Sequence, residues 1–160
     1  MSGSSLCLWY EGGAEEAAEF YAATIPDTAI LGIERAPADN PSTLQGAVLL
    51  VRMRLAGHDA VLLNGGPHFR LNEAFSLQVH TEDQAQTDRL WDAIVGCGGS
   101  PSMCGWCKDK WGLSWQITPR ALTAALSHSD PQLRKRAFEA MMGMNKIDIA
   151  AIEAAIGGAA

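Results

Sequence analysis

The chain has no apolar run approaching the roughly 20 residues of a membrane span, so no membrane helix is expected. It also lacks a basic surface. Twelve Lys and Arg stand against eighteen Asp and Glu, for a formal charge of -6. The one dense basic run, Arg134-Lys135-Arg136, reads as a solvated helix face rather than a phosphate contact. Nucleic acid and membrane are therefore not expected partners. The opening Met-Ser-Gly-Ser-Ser has neither the basic nor the apolar region of a signal peptide. Cysteines number only four. Together these predict reduced thiols and a cytoplasmic location. No Gly-x-Ser-x-Gly elbow, Walker loop or Gly-x-Gly-x-x-Gly fingerprint occurs. His58, His68, His80 and His128 include no pair at the i, i+4 spacing of a helical metal motif.

What is present is enough for a packed core. At 160 residues, 48% hydrophobic and 19% charged, the chain fits one domain built from small modules. Hydrophobic periodicity predicts a strand at Leu6 to Tyr10, a helix from Ala14 to Ala23, and strands at Thr28 to Arg35, Ala47 to Leu55 and Asp59 to Asn64. Gly65-Gly66-Pro67 breaks the chain. The pattern restarts with a strand at Phe75 to His80, a helix from Glu82 or Asp83 to Val95, and strands around Ser102 to Lys108 and Leu113 to Thr118. Helices follow over Arg120 to His128, Pro131 to Met142 and Ile147 to Ile156. Asp130-Pro131 is an N-cap with proline at the first helical position. Asn145 with Asp148 predicts a capping box.

A shift of 70 positions lays Leu6 on Ser76, Tyr10 on His80, Phe20 on Leu90 and Tyr21 on Trp91. Each half then reads as strand, helix and two or three strands, an internal repeat. The expected organisation is a single domain over 1–160. Its modules span 5–66 and 73–119, followed by a helical extension over 120–157.

Chemistry concentrates in the second half. Leu113, Trp115 and Ile117 alternate with Ser114, Gln116 and Thr118, giving one apolar and one polar face. Ser76, Gln78 and His80 likewise oppose Phe75, Leu77 and Val79. If helices cover one face only, the polar residues line a cavity. Cys104-Gly-Trp-Cys107 has the C-x-x-C form, but a turn and strand follow where a redox pair needs a helix N-terminus. A zinc site would need two further ligands at suitable spacing. His68 and His80 could also approach a cavity.

The chain resembles a known family through several segments taken together. These are Leu8-Trp9-Tyr10-Glu11-Gly12, Ala14-Glu-Glu-Ala17 with Phe20-Tyr21, Leu63-Asn-Gly-Gly-Pro67, Asn72-Glu-Ala-Phe-Ser76, Glu82-Asp-Gln-Ala85 with Asp88-Arg-Leu-Trp91, Cys104-Gly-Trp106, Asp109-Lys-Trp-Gly112, Ser114-Trp-Gln116, and Met144 to Ile149. They are similar to the PhnB-like proteins of the vicinal-oxygen-chelate superfamily, which also holds glyoxalase I, ring-cleaving dioxygenases and bleomycin-binding proteins. The resemblance implies an α+β fold of paired βαβββ modules forming a cupped mixed sheet, with C-terminal helices here, and a homodimer. The superfamily's metal positions fall near Leu6, Val61 to Leu63, Ser76 and Gln116. Leu6 and the Val61–Leu63 stretch cannot ligate, so no metal and no cofactor is expected. Relatives carry a demethylubiquinone methyltransferase label, but no glycine-rich loop for S-adenosylmethionine is present.

The expected function is binding of a small organic ligand in the sheet cavity, with Asn64, His68, Ser76, Gln78, His80, Ser114 and Gln116 as binding residues. The alternatives are a metal-dependent lyase, isomerase or dioxygenase-type enzyme, with Glu11, His68 or His80 as acid or base, and a thiol redox module acting through Cys104 and Cys107. The C-terminal helices, carrying Phe138, Met141, Met142, Ile147, Ile152 and Ile156, are expected to bury against a partner subunit.

Overall fold

The computed structural model describes residues 3–157. The fold is α+β, with two mixed four-stranded sheets and five helices among these residues. The chain divides into two compact units after Asn72.

The first unit runs β1 (Leu6–Tyr10), α1 (Ala14–Thr24), β2 (Ala29–Arg35), β3 (Val48–Leu55) and β4 (His58–Asn64). Its sheet order is β1-β4-β3-β2, with β1 parallel to β4 and the other pairs antiparallel. Period-two alternation puts Leu8, Tyr10, Val51, Met53, Leu55, Ala60 and Leu62 in the core with Ala14, Ala17, Ala18 and Tyr21 of α1. Alanines at these helix positions let α1 lie close to the sheet. Gly13 precedes α1 at φ 77 and has no side chain to cap it. Asn64 supplies the cap from β4: its Oδ1 accepts from the Ala14 amide at 3.0 Å, while its Nδ2 donates to the Val48 carbonyl at 2.9 Å.

The second unit repeats the plan with β5 (Ser76–Thr81), α2 (Gln84–Gly96), β6 (Ser100–Pro101), β7 (Trp106–Lys108) and β8 (Ser114–Pro119). The order β5-β8-β7-β6 again opens with a parallel pair and continues antiparallel. Leu77, Val79, Cys107, Leu113, Trp115 and Ile117 are buried, as are Leu90, Trp91 and Ile94 of α2. Asp83 caps α2 by accepting from the Gln86 amide at 2.7 Å. Three helices follow: α3 (Arg120–Leu126), α4 (Pro131–Met142) and α5 (Ile149–Gly157). Leu122, Ala125, Ala137, Ile147 and Ile152 form a core of their own there.

The structure corrects several sequence expectations. Phe75 precedes β5 instead of joining its apolar face, and it is 39% exposed. Of the strand expected over 102–108 only Trp106–Lys108 forms, because Cys104 and Gly105 turn with φ 59 and φ 81, and Ser100–Pro101 pairs back on it as an antiparallel strand. The capping box at Asn145 does not form. Asp148 caps α5 through the Ala151 amide at 3.0 Å, and Asn145 offers its carbonyl to the Gly105 amide at 2.7 Å. Of the apolar residues on the last helices, Ile147 and Ile152 are buried within the chain, whereas Phe138 and Met142 are 51% and 47% exposed.

Candidate functional site

Strand parity builds the site. With Trp115 and Ile117 buried on the α2 side, Ser114, Gln116 and Thr118 turn to the other face. The parallel register sets Ser76 beside Ser114, Gln78 beside Gln116 and His80 beside Thr118. On the other side of β8, Lys108 faces Ser114 and Trp106 faces Gln116, and Ser100 continues the first row next to Lys108. One face of this sheet therefore carries hydroxyls, carboxamides, an imidazole, an indole and an ammonium group. Two cross-strand bonds order it: Gln116 Nε2 donates to Ser76 Oγ at 2.9 Å, and Gln78 Nε2 donates to Thr118 Oγ1 at 3.0 Å.

A cavity of about 160 Å³ opens on this face, lined by Glu73, Ser100, Ser102, Trp106, Lys108 and Ser114 among others. Ser114 is 1% exposed, and its hydroxyl is buried without a hydrogen-bond partner. A buried hydroxyl left this way costs about 1–3 kcal/mol, so the position is stabilising only to something that can bond it. Lys108 Nζ pairs with the Glu73 carboxylate, and the pairing lowers the Glu73 pKa below the usual carboxylate range.

Asp109 fixes the hairpin that aligns these residues. Its carboxylate is buried and accepts from the Trp111 amide at 3.0 Å, the Leu113 amide at 3.0 Å and Trp115 Nε1 at 2.9 Å. With Gly112 at φ 95, this closes the turn and holds Lys108 opposite Ser114. The Asp109-Lys-Trp-Gly112 segment is thus a structural turn that serves the cavity.

The two thiols of the C-x-x-C segment have different surroundings. Cys104 sits in the left-handed turn, and its Sγ lies 3.8 Å from Met142 Sδ. Cys107 is buried in β7, where loss of solvation and then the nearby Asp109 charge push its pKa up to about 12. A redox-active thiol needs the opposite shift.

Five of the sequence-predicted binding residues, Ser76, Gln78, His80, Ser114 and Gln116, share this face. His80 stands at its far end, on an open depression with Arg120, Thr123, Ala124 and Ser127. Asn64 and His68 belong to the first unit. The Asn64 side chain is committed to the α1 cap and to β3, and His68 is exposed in the loop after β4. Glu73, Trp106 and Lys108 were not singled out from sequence. For Trp106 and Lys108 the signal existed, since alternation around Cys107 puts them on one face. Glu73 lies outside any periodic segment and gave none.

The donor set at the superfamily's metal positions does not fit a divalent ion. Leu6 and Val61–Leu63 are aliphatic, Ser76 offers a hydroxyl already bonded by Gln116, and Gln116 offers a carboxamide. Leu6 instead borders a wide depression of about 580 Å³ with Arg54, His58 and Asp59. Among the described residues no group of three or more His, Cys, Asp or Glu is placed to hold a metal. None of the described helices is long and apolar enough to cross a membrane.

The family model described as 3-demethylubiquinone-9 3-methyltransferase matches residues 3–118. Among solved structures, a PhnB protein from Bacillus cereus is 27% identical, with a TM-score of 0.64 over 74% of this chain and 99% of that one. Protein PA1353 from Pseudomonas aeruginosa is 17% identical, with a TM-score of 0.54 over 72% of this chain and 96% of that one. The fosfomycin resistance protein FosX from Listeria monocytogenes is 10% identical, with a TM-score of 0.50 over 84% of this chain and 98% of that one. These last two likenesses establish the fold alone. No curated protein matches the chain. The match over 3–118, which covers most of the chain, shows that it belongs to the 3-demethylubiquinone-9 3-methyltransferase family, with the PhnB protein among its structural neighbours.

Proposed function

We propose that this protein binds a small organic molecule on the open face of its second sheet, without a metal ion, and works as a homodimer in the cytoplasm. The observation that carries the reading is Ser114, which lines a cavity of about 160 Å³ and whose hydroxyl is buried without a partner. Trp106 gives that cavity an aromatic wall beside serine hydroxyls, an ammonium group and a carboxylate, and Ser76, Gln78 and Gln116 lie on the same sheet face. An aromatic surface next to placed polar groups can both stack against a small molecule and orient it. The aliphatic residues at the superfamily's metal positions support binding without a metal. The methyl transfer in the family's description is not part of the proposal, because no glycine-rich loop for its cofactor is present. Exposed Leu31 and Ile33 on the edge strand β2 supply apolar surface for a second copy.

The test is metal analysis of protein purified without chelator or metal affinity, followed by melting curves with Mn, Zn, Ni and Mg and then with small organic molecules. The expected result is no stoichiometric metal, no shift with metal salts, and a rise in Tm with a ligand that Ser114→Ala weakens. Near one metal per subunit with a stabilising shift would replace this reading with a metal-dependent lyase, isomerase or oxygenase.

A further inference from the structure

The Lys108–Glu73 pair is asymmetric. Lys108 is fixed in β7, between Trp106 on its own face and the Asp109 turn, and its side chain is 33% exposed. Glu73 comes from the segment before β5, and its side chain is 67% exposed. The cation belongs to the cavity wall, whereas the anion reaches in from a loop. An ion pair this open is weak and easily exchanged. The unpartnered Ser114 hydroxyl and the ammonium group line the same space, with the Ser100 and Ser102 hydroxyls beside them. A hydroxyl donor next to an ammonium donor is a pairing that recognises a carboxylate.

We infer that Glu73 stands in for the ligand's own acid group: the natural ligand is a small carboxylate that displaces Glu73 from Lys108 and lays its body against Trp106. This rests on the reading of the Ser114 cavity as the ligand site. Size narrows the class. The cavity of about 160 Å³ is close to the roughly 150 Å³ that accommodates one benzene ring. The Trp106 indole offers a flat partner for such a ring. The Ser114 hydroxyl donates to one carboxylate oxygen and Lys108 to the other, so one ligand group answers the unpartnered hydroxyl and takes the place of Glu73. Glu73, released to solvent, gives up an exposed ion pair and a bond to its own backbone.

The inference is tested with benzoate and its uncharged isostere benzamide, titrated into the full chain. Binding is read from the NMR signals of the Trp106 indole and of the Lys108 and Ser114 amides. In the wild type, benzoate should bind about tenfold tighter than benzamide. Glu73→Gln should tighten benzoate by about two- to fivefold and leave benzamide unchanged. Lys108→Gln should bring the two ligands level. Equal binding of the two by the wild type, or no gain for benzoate in Glu73→Gln, overturns the stand-in role of Glu73 and leaves the cavity as a site for neutral ligands. Silence of the Trp106 and Ser114 signals with either ligand, in both the wild type and Glu73→Gln, overturns the cavity reading itself.

Discussion

Ser114 and Cys107 sit on adjacent paired strands and carry opposite lessons about burial. The Ser114 hydroxyl is buried and unbonded, so the folded state bears a desolvation cost that the unfolded state does not. Removing the oxygen should therefore stabilise the protein while weakening ligand binding. Ser114→Ala is expected to raise Tm by about 2–8 °C, from about 1–2 kcal/mol of relief, in a calorimetric scan. A fall in Tm would mean that the hydroxyl is satisfied and that the site argument fails. Cys107 faces the core and holds its proton up to about 12. The folded pKa lies above the unfolded value, so the group leaves stability intact below about pH 9. Above that, the unfolded chain loses the thiol proton first, and stability falls as pH rises, by at most ~1.4 kcal/mol per unit. Cys107→Ala should flatten that alkaline slope in denaturation curves taken between pH 8 and pH 10.5. The parity of residues 76–80 and 113–118 was legible because both strands are regular and one-sidedly apolar. Glu73 was not, because a loop residue meets Lys108 through tertiary placement that no local period records.

At the scale of elements, the Asn64-Gly65-Gly66-Pro67 segment shows why a glycine pair reads as a turn without revealing what requires it. A Cβ on Gly65 would lie 2.2 Å from the Trp9 ring. Trp9 is held in place by its Nε1 donating to the Gly66 carbonyl at 2.8 Å and by an edge-on contact with Phe69 at 5.0 Å. Gly66 has φ 85, which lets the chain turn over the indole. The indole cannot yield without losing that hydrogen bond and the Phe69 contact. Gly65→Ala is accordingly expected to cost about 1–3 kcal/mol in urea denaturation, whereas Gly12→Ala, with nothing within 4 Å of the added carbon, should change stability by less than about 0.5 kcal/mol. Strand and helix positions were readable from periodicity and turn residues, and most boundaries fell within two residues of the observed ones. The misses came where side chains far apart in sequence decide the local form. The expected strand is cut to Trp106–Lys108 by the Cys104-Gly105 turn, whose amides bond to the carbonyls of Met144 and Asn145, at 2.7 Å each. That same bond takes Asn145 away from the expected cap.

At the scale of the whole molecule, the repeated strand order was foreshadowed by the 70-residue shift, whereas the role of the last helices was not. The family match ends at residue 118, so the helices from Arg120 onward lie outside it. Composition made them look like a surface awaiting a partner subunit. In the structure Leu122, Ala125, Ala137, Ile147 and Ile152 bury one another within the chain, whereas Phe138 and Met142 stay exposed. The segment before α5 is also stitched into the second unit. Gln84 Nε2 donates to the Ile147 carbonyl at 3.1 Å, and Gln84 Oε1 accepts from the Ile149 amide at 2.9 Å. Lys146 pairs with Asp88 at 2.9 Å and with Asp92 at 3.3 Å. The Cys104 and Gly105 amides that form the turn into β7 find their acceptors only there. Deleting the chain after Pro119 would orphan those amides and strip β8 of its contact with α3, and it would loosen the strand that carries Trp106 and Lys108. The truncated protein is expected to aggregate in size-exclusion chromatography with light scattering, or to melt well below the full chain. Any soluble fraction should lose the sharp NMR signals of Trp106 and Lys108. A truncated chain that stays soluble with the wild-type Tm would show that the helices are an appendage, and that the family core alone builds the cavity.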